Sequence, residues 1–167
     1  MKLYCAPGAC SLAVHIALSD IGATFEGVAV DLVKHTTADG SGFHEISPRD
    51  RVPLLKLDDG ARHTEAASLR QYVADLDPAQ TLIGAAGSAW RVAVVEWRTF
   101  VSTEVHRVFN SWLWHKETAD STCQTSKSKL VSRFAELDML LSKQDYLARV
   151  SERPRVQEAM RAEGLVK

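Results

Sequence analysis

The sequence predicts a small α/β domain over residues 1–78 followed by an all-α domain over residues 88–167. Three observations predict this division. Short apolar runs alternate with helical patterns from Leu3 to Leu76, the Asp77–Ser88 stretch breaks the pattern with Pro78, Gly84 and Gly87, and only a period near 3.6 follows it. A chain of 167 residues is long enough to bury a core in each of two small domains.

The elements can be taken in order. Leu3-Tyr4-Cys5 ends a strand, Ala6-Pro7-Gly8-Ala9 makes a tight loop, and a helix is expected from Cys10 to Ile21, stopped by Gly22. That helix is apolar nearly all round, with Ser11, His15 and Ser19 forming its one polar stripe. A short strand is expected from Phe25 to Leu32. Lys34–Pro48 is polar and Gly-rich, so a loop with a short helix is expected there. Val52-Pro53-Leu54-Leu55-Lys56-Leu57 and Ala61-Arg62-His63-Thr64, joined by Asp58-Asp59-Gly60, predict a hairpin. Ala66, Leu69, Val73 and Leu76 then place one apolar face on a helix that opens at Thr64 or Glu65.

Beyond the linker, Ser88 is a candidate N-cap, and Trp90, Val94, Trp97, Val101, Val105, Val108 and Trp112 repeat as the core stripe of a long helix. Thr99, Thr103 and His106 line up as a polar row on another face. A polar turn is expected from Lys116 to Ser128, a second helix over Leu130–Leu141, and an amphipathic segment over Asp145–Lys167 that Pro154 interrupts.

Composition narrows the function. Twenty basic and 21 acidic residues, a net charge of -1 and no basic run argue against a nucleic-acid partner. No apolar run approaches the roughly 20 residues of a membrane span. The start, Met1-Lys2-Leu3-Tyr4 and then Pro7-Gly8, lacks the apolar core of a secretory leader. Three cysteines argue for a reducing compartment, so a cytoplasmic location is expected. Cys10 is the cysteine with a chemical context: at a helix start, backbone N–H groups and the helix dipole favour an anion, so its thiol is expected to ionise more easily than a free one. On the residues alone, structural and nucleophilic roles for Cys10 both stand. Cys5 and Cys123 are expected to be structural, and His15, His44, His63 and His115 to be surface or capping groups. No His/Cys/Asp cluster suggests a metal. Trp90, Trp97, Trp112 and Trp114 are expected in core and interface.

A thiol at a helix start, Val52-Pro53 before a hairpin, Glu65 opening the next helix and a helical second domain together resemble the bacterial beta-class glutathione S-transferases. The resemblance runs from Met1 to about Leu141 and resumes over Asp145–Arg149, Arg153-Pro154 and Glu163-Gly164-Leu165. It implies a thioredoxin-like N-terminal domain, an all-helical C-terminal domain, a homodimer, and conjugation of glutathione, as cosubstrate and with no other cofactor, to small hydrophobic electrophiles in detoxification. Cys10 matches the cysteine near the glutathione sulfur that can exchange disulfides with it. Pro53 matches a cis-proline, and the cis bond turns the backbone of the preceding Val52 outward to pair with the glutathione cysteine. Glu65 matches the carboxylate that holds the glutamyl ammonium, and the backbone of Ala66 receives the glutamyl carboxylate. Thr99, Thr103, Glu104, His106 and Arg107 match second-domain positions lining the site, with His106 placed to stabilise the sulfur anion or accept its proton.

This chain departs from the family in several places. Cys5 stands in place of Tyr, Ala66 in place of Ser, and Arg107 in place of Lys. Lys34-His35 stands where a Lys at the second position holds the glycine carboxylate, so either Lys34 or His35 takes that role. Between Ser142-Lys143-Gln144 and Asp145 several tens of residues with a buried, capped helix are missing, which is expected to leave a groove covered by the C-terminal segment, covered by a partner copy, or open as a wider pocket. Trp114 is the tryptophan placed to reach an electrophile. A different class of function, a non-catalytic protein holding glutathione or hydrophobic ligands, is compatible with the same residues.

Overall fold

The computed structural model describes residues 1–109, 113, 115–142 and 146–166, with the side chains of 146–148 excepted. They fall into two units, Met1–Gly84 with Val150–Lys167, and Ala85–Arg149.

The first unit is built on a five-stranded sheet of order β3-β2-β1-β4-β5, from β1 (Lys2–Cys5), β2 (Glu26–Asp31), β3 (Thr36–Thr37), β4 (Leu54–Lys56) and β5 (Arg62–Thr64). β1 and β2 are parallel, as the intervening helix α1 (Leu12–Asp20) requires, and the other pairs are antiparallel. Tyr4 is central, opposite Val28 on one side and Leu54 on the other. Alternation along β1 sends Leu3 and Cys5 to one face, with Val14 and Leu18 of α1, Leu55, and Leu69 and Val73 of α3 (Ala66–Asp75). Tyr4 points to the other face, where it packs with Val30, Leu54 and Phe43 of the short α2 (Phe43–Ile46). This is the expected thioredoxin-like arrangement. β3 was not expected: two threonines in a polar stretch carry no periodic signal, and Thr37 is instead fixed by Asp39 and Ser41 in its own turn.

The helix expected from Cys10 starts at Leu12. Leu12 and Ala13 donate to the carbonyls of Ala9 and Cys10, three residues back, which puts Cys10 in a tight turn ahead of the helix. Nor is His15, on the polar stripe of α1, the surface or capping group it was expected to be. Ser11 and His15 are buried, because α7 (Pro154–Ala162) packs along α1 with Val156 and Ala159 inside. Arg153 clamps Asp20 at 2.9 Å, fastening the start of α7 to the end of α1. Residues 150–167 therefore belong by their contacts with the first unit, whereas the sequence assigned them to the second.

In the second unit, α4 (Ala89–Phe100) is capped by Ser88, whose Oγ accepts from Arg91 N–H, and continues into a π-helical turn, Val101–His106. Most of the apolar stripe expected to be core is not: α4 contains no buried residue, Trp90 and Trp97 are 51% and 38% exposed, and of the described stripe residues only Val105, in the π-helical turn, is buried. α5 (Asp120–Leu141) begins inside the expected polar turn, since 120–128 is helical without an apolar face to announce it. A short α6 (Tyr146–Ser151) precedes α7, and Pro154 starts α7 where its missing N–H costs nothing. Trp112, Trp114 and the junction at residues 143–145 lie outside the described residues. Among the described residues no helix is long and apolar enough to cross a membrane.

Candidate active site

The loop between β1 and α1 is held from two sides. Ser11 Oγ accepts from the Ala6 N–H and donates to the Ala6 carbonyl, both at 3.2 Å, which closes the turn that carries Cys10. From α7's end, Glu163 reaches in: one carboxylate oxygen accepts from Gly8 N–H at 3.2 Å, and the other lies 3.0 Å from His15 Nδ1. Gly8 has φ +69, a conformation that side chains rarely adopt. His15 also meets the Phe25 ring edge-on. Sequence alone missed this buried pair, since a histidine and a glutamate 148 positions apart carry no local signal.

Cys10 Sγ is half-buried and donates to the Val52 carbonyl at 3.5 Å, beside the cis Val52–Pro53 peptide. Its expected easy ionisation is not found. Burial pushes the Cys10 thiol up, and the Glu65 charge adds to the rise; the backbone N–H groups of Cys10 and Ser11 and the Arg70 guanidinium pull the other way but do not win. Losing water costs the anion more than two backbone donors return, in part because the turn ahead of α1 has used other N–H groups internally. Cys5 lies deeper, near Val28 O, and burial followed by the Glu163 charge raises it to about 11.

Glu65 is the N-cap residue of α3, with φ +71 and no side-chain cap bond. A non-glycine residue in that region is strained, and such strain gathers at functional sites. Its carboxylate is 65% exposed and 3.6 Å from Arg49 Nη1. Behind it, Ala66 opens α3 and leaves the first backbone N–H groups for an anion. Lys34 sits on an exposed turn, 3.7 Å from Asp31, whose other oxygen accepts from the Val33 and Lys34 N–H groups. His35 (φ +55) is turned toward Asp50 (φ +50) at 3.9 Å, and His44 meets the same carboxylate at 3.0 Å. Asp50 and Arg49 had drawn no attention in the sequence, and His44 was expected to be a surface or capping group.

The remaining candidates lie in the second unit. Thr99 and Thr103 donate to the carbonyls of Val95 and Thr99, back-bonding along their own helix. Glu104 is gripped by Lys129 at 3.2 Å and Arg133 at 2.9 Å, which holds its carboxylate below the usual range and joins the π turn to α5. His106 and Arg107 are exposed at the end of that turn. The first unit thus gathers Cys10, Val52, Pro53 and Glu65 with Ala66 behind it, and sets Lys34 and His35 on a neighbouring turn. No described group of three or more His, Cys, Asp or Glu residues is placed to hold a metal ion.

Comparison with known proteins agrees with this architecture. No family model matches the chain. Glutathione S-transferase GstA of Escherichia coli O157:H7 is 30% identical over 201 residues, covering 99% of this chain and 100% of its own. That span exceeds the 167 residues here, so part of the relative has no counterpart. The structure of BphK, a bacterial GST solved as a ternary complex, superposes with a TM-score of 0.90 at 35% identity, covering 99% of this chain and 100% of that one. A bacterial beta-class glutathione S-transferase of Sphingomonas chungbukensis follows at 0.88 and 29%, with 99% and 100% covered. The chain therefore belongs to the glutathione S-transferase family, in its bacterial beta class.

Proposed function

We propose that this enzyme joins glutathione to small hydrophobic electrophiles, with Cys10 as hydrogen-bond donor to the glutathione sulfur, and that it works in cytoplasmic detoxification as a homodimer. The observation that carries the reading is the contact of Cys10 Sγ with the Val52 carbonyl. A peptide-like cosubstrate laid along Val52 pairs with its N–H and C=O as an added strand does, and its own sulfur then arrives beside Cys10. Glu65 holds the glutamyl ammonium, the N–H groups at Ala66 take the glutamyl carboxylate, and Lys34 or His35 takes the glycine carboxylate.

The raised Cys10 thiol decides its part. Near neutral pH it keeps its proton, so it donates S–H to a glutathione thiolate rather than competing as a second anion. The glutathione S–H proton leaves to solvent, the sulfur electron pair forms the S–C bond, and the displaced group leaves with the electrons of its own bond. Where the electrophile is an activated alkene, a proton from water completes the addition. At higher pH the Cys10 thiolate attacks a glutathione mixed disulfide, forms a new S–S bond and releases the other sulfur as thiolate. Resemblance alone supports roles for Thr99, Thr103, His106 and Arg107. Glu104, already gripped by Lys129 and Arg133, is better suited to bracing its helix.

The test is conjugation of glutathione to an activated aryl halide by the wild type and Cys10→Ala, with sedimentation of both. Conjugation should fall less than about tenfold in the variant, since one weak donor contributes about 1 kcal/mol, and exchange with a glutathione mixed disulfide should vanish. Binding of glutathione with no turnover over a broad electrophile panel would overturn the enzymatic reading, and a monomer in sedimentation would overturn the dimer.

A further inference from the structure

We propose that His35, Asp50 and His44 form one charge-reversing cluster that makes the affinity of this site for glutathione depend on pH, through the glycine carboxylate. The inference rests on the proposed placement of that carboxylate at the Lys34-His35 turn. Asp50 lies two residues before Val52, so the cluster borders the stretch against which the cosubstrate is laid.

Three features single it out. Two imidazoles converge on one carboxylate, His44 Nδ1 on Oδ2 at 3.0 Å and His35 Nδ1 toward Oδ1 at 3.9 Å. Oδ1 is enclosed and has no hydrogen-bond partner, so one side of the carboxylate is unanswered while His35 stands just beyond bonding range. Both His35 and Asp50 hold left-handed backbone, at φ +55 and +50. Asn, Asp and His are the non-glycine residues that enter that region most readily, which favours histidine over lysine at position 35. The backbone braces the arrangement: Phe43 N–H donates to the His35 carbonyl at 2.8 Å, and Asp50 N–H to the Ser47 carbonyl at 2.8 Å.

Other charges around His35 are largely committed. On its own turn, Lys34 is paired with Asp31; from the turn after β3, Asp39 is bonded to Thr37 and Ser41. Glu45 and His44 come from α2, and Arg49, Asp50 and Arg51 from the loop before Pro53, with Arg49 turned to Glu65. Arg62 of β5 spends its guanidinium on the carbonyls of Glu45 and Ile46. The group free to change the sign of the patch is the cluster itself. With both imidazoles neutral it carries the negative charge of Asp50 and repels a carboxylate. With both protonated it carries a net positive charge and attracts one. Imidazole is the side chain that makes this change between about pH 5 and 8.

The test uses S-methylglutathione, which has no thiol to ionise, and its glycine ethyl ester, which has no glycine carboxylate. Calorimetric Kd values are taken at pH 5.5 and 8.5 for the wild type, His35→Asn and Asp50→Asn. Asparagine tolerates the backbone at both positions, so both variants should fold. The wild type should bind the acid about threefold to fivefold more tightly at pH 5.5, as expected for a half-exposed charge pair, and the ester equally at both. His35→Asn should flatten the dependence at the weak level, and Asp50→Asn should tighten binding at pH 8.5. A pH-independent Kd for the acid, an equal pH response from the ester, or an unchanged dependence in His35→Asn would each overturn the cluster's role while leaving glutathione binding intact. Failure of the acid to bind the wild type at any pH would overturn the placement of glutathione itself, and the cluster's role with it.

Discussion

In the first unit Leu3, Val14, Leu18, Phe43, Leu55 and Val73 have no exposed surface, whereas in α4 and α5 of the second only Leu130 is buried. Val92, Val131 and Met139 of those helices are 63%, 71% and 65% exposed. Both units are rich in apolar residues, so composition does not explain the difference. The first closes a sheet between helices, and each strand residue finds a layer to enter. The second has long helices on which, among the described residues, these apolar side chains stay exposed. Cys10, Val52 and Glu65 are accordingly set by a finished core, whereas no such core braces the described residues of α4 and α5.

The largest effect should separate the two cores directly. Phe43→Ala empties a fully buried position against Tyr4, whose ring centroid is 5.9 Å away, and should cost about 3–5 kcal/mol in chemical denaturation. Val131→Ala should stay within about 0.5 kcal/mol, as for an exposed site. Comparable losses from both would mean that the second unit has a core after all, completed by a partner copy that buries α5.

Next come the two carboxylates that bridge elements, one in each unit. Glu163→Ala removes the partner of both His15 and Gly8 and leaves a buried imidazole and a backbone donor unanswered, so a loss of about 2–3 kcal/mol is expected. With Gly8 released, Cys10 should also alkylate faster at pH 7, which a loss of stability elsewhere would not produce. Glu104→Ala removes a partly exposed carboxylate from Lys129 and Arg133 and should cost less than about 1 kcal/mol, falling further in high salt. Unchanged alkylation in Glu163→Ala would show that the loop is held by Ser11 alone.

The same contrast explains what was legible in the sequence. Strands β1, β2, β4 and β5, the hairpin and α3 could be read because their periodicity and turn residues are local. The position of Glu65 at the start of α3 was legible too, though its left-handed backbone was not. The burial of His15 was hidden, because it depends on a helix more than a hundred residues later. Trp90 and Trp97 misled in the opposite sense: a helical stripe shows that a face is apolar, not that anything covers it. The helical residues 120–128 were lost because Ser, Thr and Lys make a solvated helix and a turn look alike. At Cys10 the sequence put the helix start two residues too early and expected the thiol to ionise easily, since neither the tight turn ahead of α1 nor desolvation leaves a local signal.

The smallest effect should appear in alkaline solution, and it belongs to the first unit alone. Burial raises Cys5 from its ordinary value of 9.0 to about 11, and raises Cys10 in the same direction. Above pH 9 the unfolded chain gives up these protons while the folded chain keeps them, so the unfolded state gains relative stability. The contribution is fully present below pH 9 and is lost as pH climbs toward 11. Lys2, raised by its hydrogen bond to Glu26, acts in the same sense but only above its ordinary 10.5, which leaves the interval below it to the cysteines. Denaturation midpoints measured between pH 8 and 10 should therefore fall for the wild type and fall less for Cys5→Ala. The slope is the readout, because the truncation lowers the whole curve by removing a buried sulfur from beside Val28. An identical slope in both proteins would mean that the Cys5 thiol meets water more freely than its buried place on β1 implies.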